Sequence, residues 1–152
     1  MPMKLATALS ERADLQRRIA ELGTRLNNNA KVQEGEKPAE SPEVLLEELD
    51  RNFERLEQLM SRINHTNNAT EYEGKTLTDF IARRDCLKQK ISVMRNFLDC
   101  SSEKIDRYAK SEIRIMSTVD VADLQKAVDK LSKELRITDE TIQQLNWTTE
   151  LI

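Results

Sequence analysis

Histidine occurs once in this sequence, at position 65, and cysteine twice, at 86 and 100. That scarcity removes most metal chemistry. A zinc site draws on several convergent His and Cys ligands, and a helical bundle that binds two irons needs Glu-x-x-His pairs from facing helices. Position 62, three before His65, holds Arg. Nucleophilic catalysis fares no better, since His65 lies in the polar run Asn64-His65-Thr66-Asn67-Asn68 with no recognisable signature around it. The three glycines, at 23, 35 and 74, are isolated from one another, so no glycine-rich phosphate loop can form. The expectation is a protein with no catalytic residues, no metal and no cofactor.

Aromatic residues are equally sparse, making up 4% of the chain (Phe53, Tyr72, Phe80, Phe97, Tyr108 and Trp147), against 34% charged residues. This balance disfavours sheet-rich folds and suits long solvated helices that meet along thin aliphatic seams. An excess of positive charge is also lacking: the net charge is −3 and the pI near 5.4, which argues against a nucleic-acid partner. No apolar run approaches the ~20 residues that span a bilayer, and Met1-Pro2-Met3-Lys4-Leu5 lacks the apolar block of a signal peptide. A cytoplasmic protein without membrane partners is expected. Three matches to the glycosylation sequon, at Asn64, Asn68 and Asn146, then carry no meaning.

What is abundant is heptad spacing. Val121, Leu124, Val128, Leu131, Leu135, Thr138, Ile142 and Leu145 alternate steps of three and four, the spacing that buries a narrow seam between helices with a left-handed twist. Three earlier segments carry nearly the same pattern. Leu5, Ala8, Leu15, Ile19, Leu22 and Leu26 mark a first helix over about 3–28, with Arg12 where another apolar residue is due. Ser41-Pro42-Glu43 opens a second, about 42–67, by a serine N-cap, a first-turn proline and an acid at the positive end of the dipole. Its stripe reads Leu45, Leu49, Phe53, Leu56, Met60 and Ile63, and Asn67 ends it.

A turn at Glu73-Gly74-Lys75 leads to a third helix, about 77–104, where Thr76 and Asp79 form a capping box. Its stripe of Leu77, Phe80, Ile81, Leu87, Ile91, Met94, Leu98 and Ile105 is interrupted by Arg84 and widened by Cys86, Val93, Phe97 and Cys100. That width predicts a central helix with more than one neighbour and partly buried, reduced thiols. Cys86 and Cys100 lie 14 residues apart, roughly 21 Å along one helix, and so cannot bond to each other within it. Asp120 caps a fourth helix, about 121–147, and the apolar tip of the tail should dock. Ile113-Arg114-Ile115 alternates as a strand does, and a small ribbon with Lys31-Val32-Gln33 is the one sheet element the pattern allows.

These elements predict an all-α fold, an elongated antiparallel bundle of four long helices in a single domain over 1–152. Charge suggests how two helices pair. Residues 43–57 hold six acids (Glu43, Glu47, Glu48, Asp50, Glu54, Glu57) against Arg51 and Arg55, and residues 75–95 hold six bases (Lys75, Arg83, Arg84, Lys88, Lys90, Arg95) against Asp79 and Asp85. Helices two and three are therefore expected to form a hairpin with complementary flanks.

Two features stand out as candidates for ligand binding. Arg12 and Arg84 occupy seam positions, where an unpaired charge is costly; their stems can lie along the seam while the guanidinium reaches a carboxylate, or they can line an anion pocket between subunits. The cluster Asn64, His65, Asn67 and Asn68 either satisfies backbone groups at a helix end or contributes to such a site.

Several blocks are more idiosyncratic than generic heptads. Met3-Lys4-Leu5-Ala6 with Glu11-Arg12-Ala13-Asp14-Leu15-Gln16-Arg17-Arg18, Asn29 to Glu36, Leu77-Thr78-Asp79, Ser117 to Val121 and Leu145 to Leu151 together resemble a family of small bacterial proteins of unknown function, some labelled septicolysin. The resemblance implies an all-helical protein that assembles as a homo-oligomer, a hexamer, and it transfers no catalytic or binding residue. The label itself implies a pore-forming cytolysin, which the missing export signal and apolar segment oppose. The main functional expectation is a non-enzymatic scaffold acting through self-assembly or protein–protein interaction. The alternative is a small-ligand or anion binder, with or without catalysis, whose site forms between subunits.

Overall fold

The computed structural model describes residues 2–103 and 113–152. It contains four helices, α1 (Leu5–Asn28), α2 (Pro42–Ala69), α3 (Leu77–Ser102) and α4 (Val121–Thr148), with one ribbon of β1 (Glu71–Tyr72) and β2 (Lys75–Thr76). The fold is all-α apart from that ribbon. The expected end of the third helix at residue 104, and Ile105 on its stripe, lie outside the described residues.

Local chemistry accounts for the helix ends. The Val44 amide donates to Ser41 Oγ at 3.4 Å, Pro42 fills the first turn and Glu43 faces the positive end of the dipole. The Asp123 amide likewise donates to Asp120 Oδ1 at 3.1 Å to start α4. The ribbon does not lie where the alternation of Ile113–Ile115 suggests; that segment and Lys31–Gln33 are exposed and irregular. It forms instead as a hairpin in which Glu71 pairs with Thr76 and Tyr72 with Lys75. The loop residues Glu73 (φ 50°) and Gly74 (φ 79°) both take the left-handed backbone that tight hairpin turns require. The local turn chemistry outweighs a weak alternation.

The chain divides into two compact units, one built from residues up to Thr76 with Leu145–Ile152, the other Leu77–Gln144. In the first unit α1 and α2 run antiparallel. Leu5, Ala8, Leu15 and Leu22 of α1 are buried, as are Leu45, Leu56, Leu59 and Ile63 of α2. The connection between them is pinned at Asn29, whose Nδ2 donates to the Arg25 carbonyl at 2.8 Å and whose Oδ1 accepts from the Glu40 amide at 3.0 Å. Arg25 Nε also donates to the two Glu40 carboxylate oxygens at 3.2 and 3.1 Å.

The buried stripe of α2 differs from the expected one. Phe53 is 50% exposed and Met60 44%, whereas Leu59 is fully buried. From Leu56 the seam steps by three to Leu59, then to Ile63 and Thr66, which moves Phe53 and Met60 onto a separate face. Asn52 shares the edge of the seam, and its Nδ2 is buried without a hydrogen-bond partner among the described residues.

In the second unit α3 buries Leu77, Leu87, Ile91 and Leu98, and the seven seam positions of α4 from Val121 to Ile142 are buried or half-buried; the eighth, Leu145, is buried in the first unit. Arg83 of α3 reaches Glu134 of α4 at 3.3 Å, and Arg95 Nη2 donates to Ser132 Oγ at 3.3 Å. The wide face of α3 is not filled: Cys86, Val93, Phe97 and Cys100 are all exposed, so the thiols are not partly buried. Arg55, one of the two bases among the acids of α2, pairs with Glu11 of α1.

Candidate functional site

Among the described residues no group of three or more His, Cys, Asp and Glu side chains could hold a metal ion. The candidates from the sequence are not brought together. Arg12 is half-buried on α1 and has neither an ion pair nor a side-chain hydrogen bond among the described residues. Arg84, on α3, is also half-buried, and its Nε donates to the adjacent Asp85 carboxylate at 3.1 Å. A neighbouring carboxylate thus neutralises this seam position.

The polar cluster is helical rather than a turn, because α2 continues to Ala69. Asn64, His65 and Asn68 are exposed and Asn67 is half-buried. Thr66, between them, is fully buried. Its hydroxyl donates to the Arg62 carbonyl at 2.8 Å and accepts from the Ile152 amide at 2.9 Å. Arg62 Nε donates to the Ile152 backbone oxygen at 2.8 Å.

The chain just before Ile152 lies against the start of α1. The Leu5 amide donates to the Thr149 carbonyl at 2.9 Å, the Leu151 amide to the Met3 carbonyl at 2.8 Å, and Lys4 and Glu150 form an antiparallel bridge. Leu151 is buried while the Ile152 side chain stays exposed, so the tail docks one residue short of its tip. Within the polar run Thr66 is structural and closes the end of the α1–α2 pair. Its heptad step of three from Ile63 is the signal that separates it from its neighbours.

The remaining sites are surfaces. On α2, Leu46 (50% exposed), Phe53 and Met60 recur at seven-residue intervals and form one exposed apolar stripe. Asp50, Phe53, Glu54, Glu57, Met60 and Asn64 line a shallow groove along it. On α3, Cys86, Val93 and Cys100 recur at the same interval, with Phe97 beside them and Val93 69% exposed. Ala82, Arg83, Cys86 and Lys90 edge a depression on this face. Leu46 is missed by the sequence pattern first assigned to α2, although its seven-residue spacing from Phe53 is visible there, and the groove acids Asp50, Glu54 and Glu57 are among those that make this helix acidic.

Residues 12–151 match the family described as "Family of unknown function (DUF6847)", and the chain belongs to that family. A crystal structure of a functionally unknown conserved protein from Corynebacterium diphtheriae is similar over 100% of both chains, with a TM-score of 0.92 and 43% sequence identity. No curated protein sequence matches the chain. The septicolysin label occurs in neither description, and among the described residues no helix is long and apolar enough to cross a membrane.

Proposed function

We propose that this member of a family of unknown function is a non-enzymatic cytosolic helical protein that works by assembling with copies of itself. The observation that carries this reading is the pair of apolar stripes, Leu46-Phe53-Met60 and Val93-Phe97, left at the surface by helices whose opposite faces are already packed. Contiguous exposed apolar patches on soluble proteins mark interaction sites, because water contact with them costs free energy that association recovers. The likeness of residues 29–36, 117–121 and 145–151 to small bacterial proteins of unknown function implies a homo-oligomer of six copies. Light scattering coupled to gel filtration reads the mass directly. A multiple of the 17.6 kDa chain mass at micromolar concentration is expected, and a monomer there refutes self-assembly.

A second reading has one specific observation behind it. Arg12 is a half-buried guanidinium without a carboxylate partner among the described residues, which suits an anion held between subunits. Calorimetric titration of the assembled protein with inorganic phosphate, compared with Arg12→Met, tests it. Equal heats for the two proteins end this reading.

A further inference from the structure

The two exposed stripes match each other in length and oppose each other in charge. Leu46 to Met60 and Cys86 to Cys100 each span 14 positions, roughly 21 Å of helix, and each repeats every seventh residue. The groove on α2 is flanked by Asp50, Glu54 and Glu57, none of which has an ion-pair or hydrogen-bond partner among the described residues. The face of α3 is flanked by Lys90, also unpartnered among the described residues, and by Arg83, held only by a half-exposed pair to Glu134.

Two α2 faces brought together would oppose carboxylate to carboxylate, and two α3 faces would oppose cation to cation. Such like-charge juxtapositions select against the symmetric pairings, whereas α2 against α3 joins opposite signs around apolar layers of equal repeat. We infer that the acidic, apolar face of α2 on one copy docks on the basic, apolar face of α3 on a second copy. This rests on the self-assembly reading above and adds its geometry. The contact is heterologous, so each copy offers one face of each kind and the chain of contacts closes into a ring or continues as a filament.

The native thiols report on this directly. Cys86 and Cys100 lie in the α3 stripe, so their alkylation slows as protein concentration rises through the assembly range, and Phe53→Asp on the other helix restores the fast rate. Complementary single-face variants give the decisive test. Phe53→Asp and Val93→Asp both alter exposed positions, so each keeps wild-type helix content by circular dichroism and each alone runs as a monomer. Mixed in equal amounts they form a dimer and nothing larger, because one intact α2 face meets one intact α3 face. An assembly that survives either substitution, or a mixture that stays monomeric, overturns the docking of α2 on α3 while leaving self-assembly intact. A monomeric wild type overturns both.

Discussion

Arg55 and Glu11 lie 44 positions apart in sequence and meet as a bidentate pair, Nε to Oε1 at 2.7 Å and Nη2 to Oε2 at 3.0 Å. The pair joins α2 to α1 at the edge of the seam, with about a third of each side chain exposed. Two parallel charge-assisted bonds give it directional specificity that a single contact lacks. The hydrogen bond from Arg55 holds the Glu11 carboxyl below the ordinary carboxylate range, aided by the charges of Arg55 and Arg18 and opposed by desolvation.

The sign of the resulting pH dependence follows from that direction. A carboxylate whose pKa is depressed in the folded state adds stability above its unfolded pKa and loses it as the pH falls through the folded value. Urea midpoints measured between neutral and strongly acidic pH should therefore decline at the acid end, and Glu11→Gln should flatten part of that decline. Because water screens the pair, the loss at neutral pH is expected to be under about 1 kcal/mol. A Glu11→Gln profile parallel to wild type would show that the pair carries no pH-dependent stability.

The phase of α2 can be tested by truncation. Leu59 is fully buried, so Leu59→Ala leaves a cavity and should cost about 2–5 kcal/mol of unfolding free energy. Met60→Ala removes a side chain that is 44% exposed and should cost much less when measured on dilute protein. Chemical denaturation of the two variants checks the order; equal losses would restore the stripe through Met60.

Helix ends and the regular seam of α4 are legible in the sequence because their causes are local: the side chains of Ser41 and Asp120 cap their own helices, and eight seam residues repeat without a break. The seam of α2 is not legible, because two candidate stripes share residues and the true one includes the polar Asn52 and Thr66. Apolar periodicity cannot choose between them; the partner helix does, by covering Leu59 and leaving Phe53 in water. The wide face of α3 is visible as a pattern, but width alone does not say whether its cover comes from the same chain.

Thr66 ties α2 to the chain end, and its removal should be felt there. Thr66→Val keeps the volume but withdraws the hydroxyl that accepts from the Ile152 amide, a bond made at 2.9 Å. Losing a buried hydrogen-bond partner costs about 1–3 kcal/mol. Faster amide exchange at Leu151 and Ile152 in Thr66→Val, with α3 and the first half of α4 unchanged, is the expected pattern. Unchanged exchange at Leu151 and Ile152 would mean that the backbone bonds to Met3 and Leu5 hold the tail without Thr66.

Salt distinguishes the docking of α2 on α3 from a contact between like faces. Attraction between Asp50, Glu54 and Glu57 on one copy and Arg83 and Lys90 on another acts across a partly hydrated rim. Raising the ionic strength from 0.1 to 1 M shortens the screening length from about 10 to about 3 Å, which weakens attraction between opposite charges and equally relieves repulsion between like ones. The apolar layers respond in the other direction or little, since salts excluded from the surface strengthen burial. Chloride salts keep that second effect small. The dissociation concentration of the assembly should therefore rise with sodium chloride if opposite faces meet, and fall if like faces meet. Sedimentation velocity at the two salt concentrations reads the sign of the change. Glu54→Gln with Glu57→Gln should reduce the salt dependence, because Asp50 alone of the three groove carboxylates then stays charged.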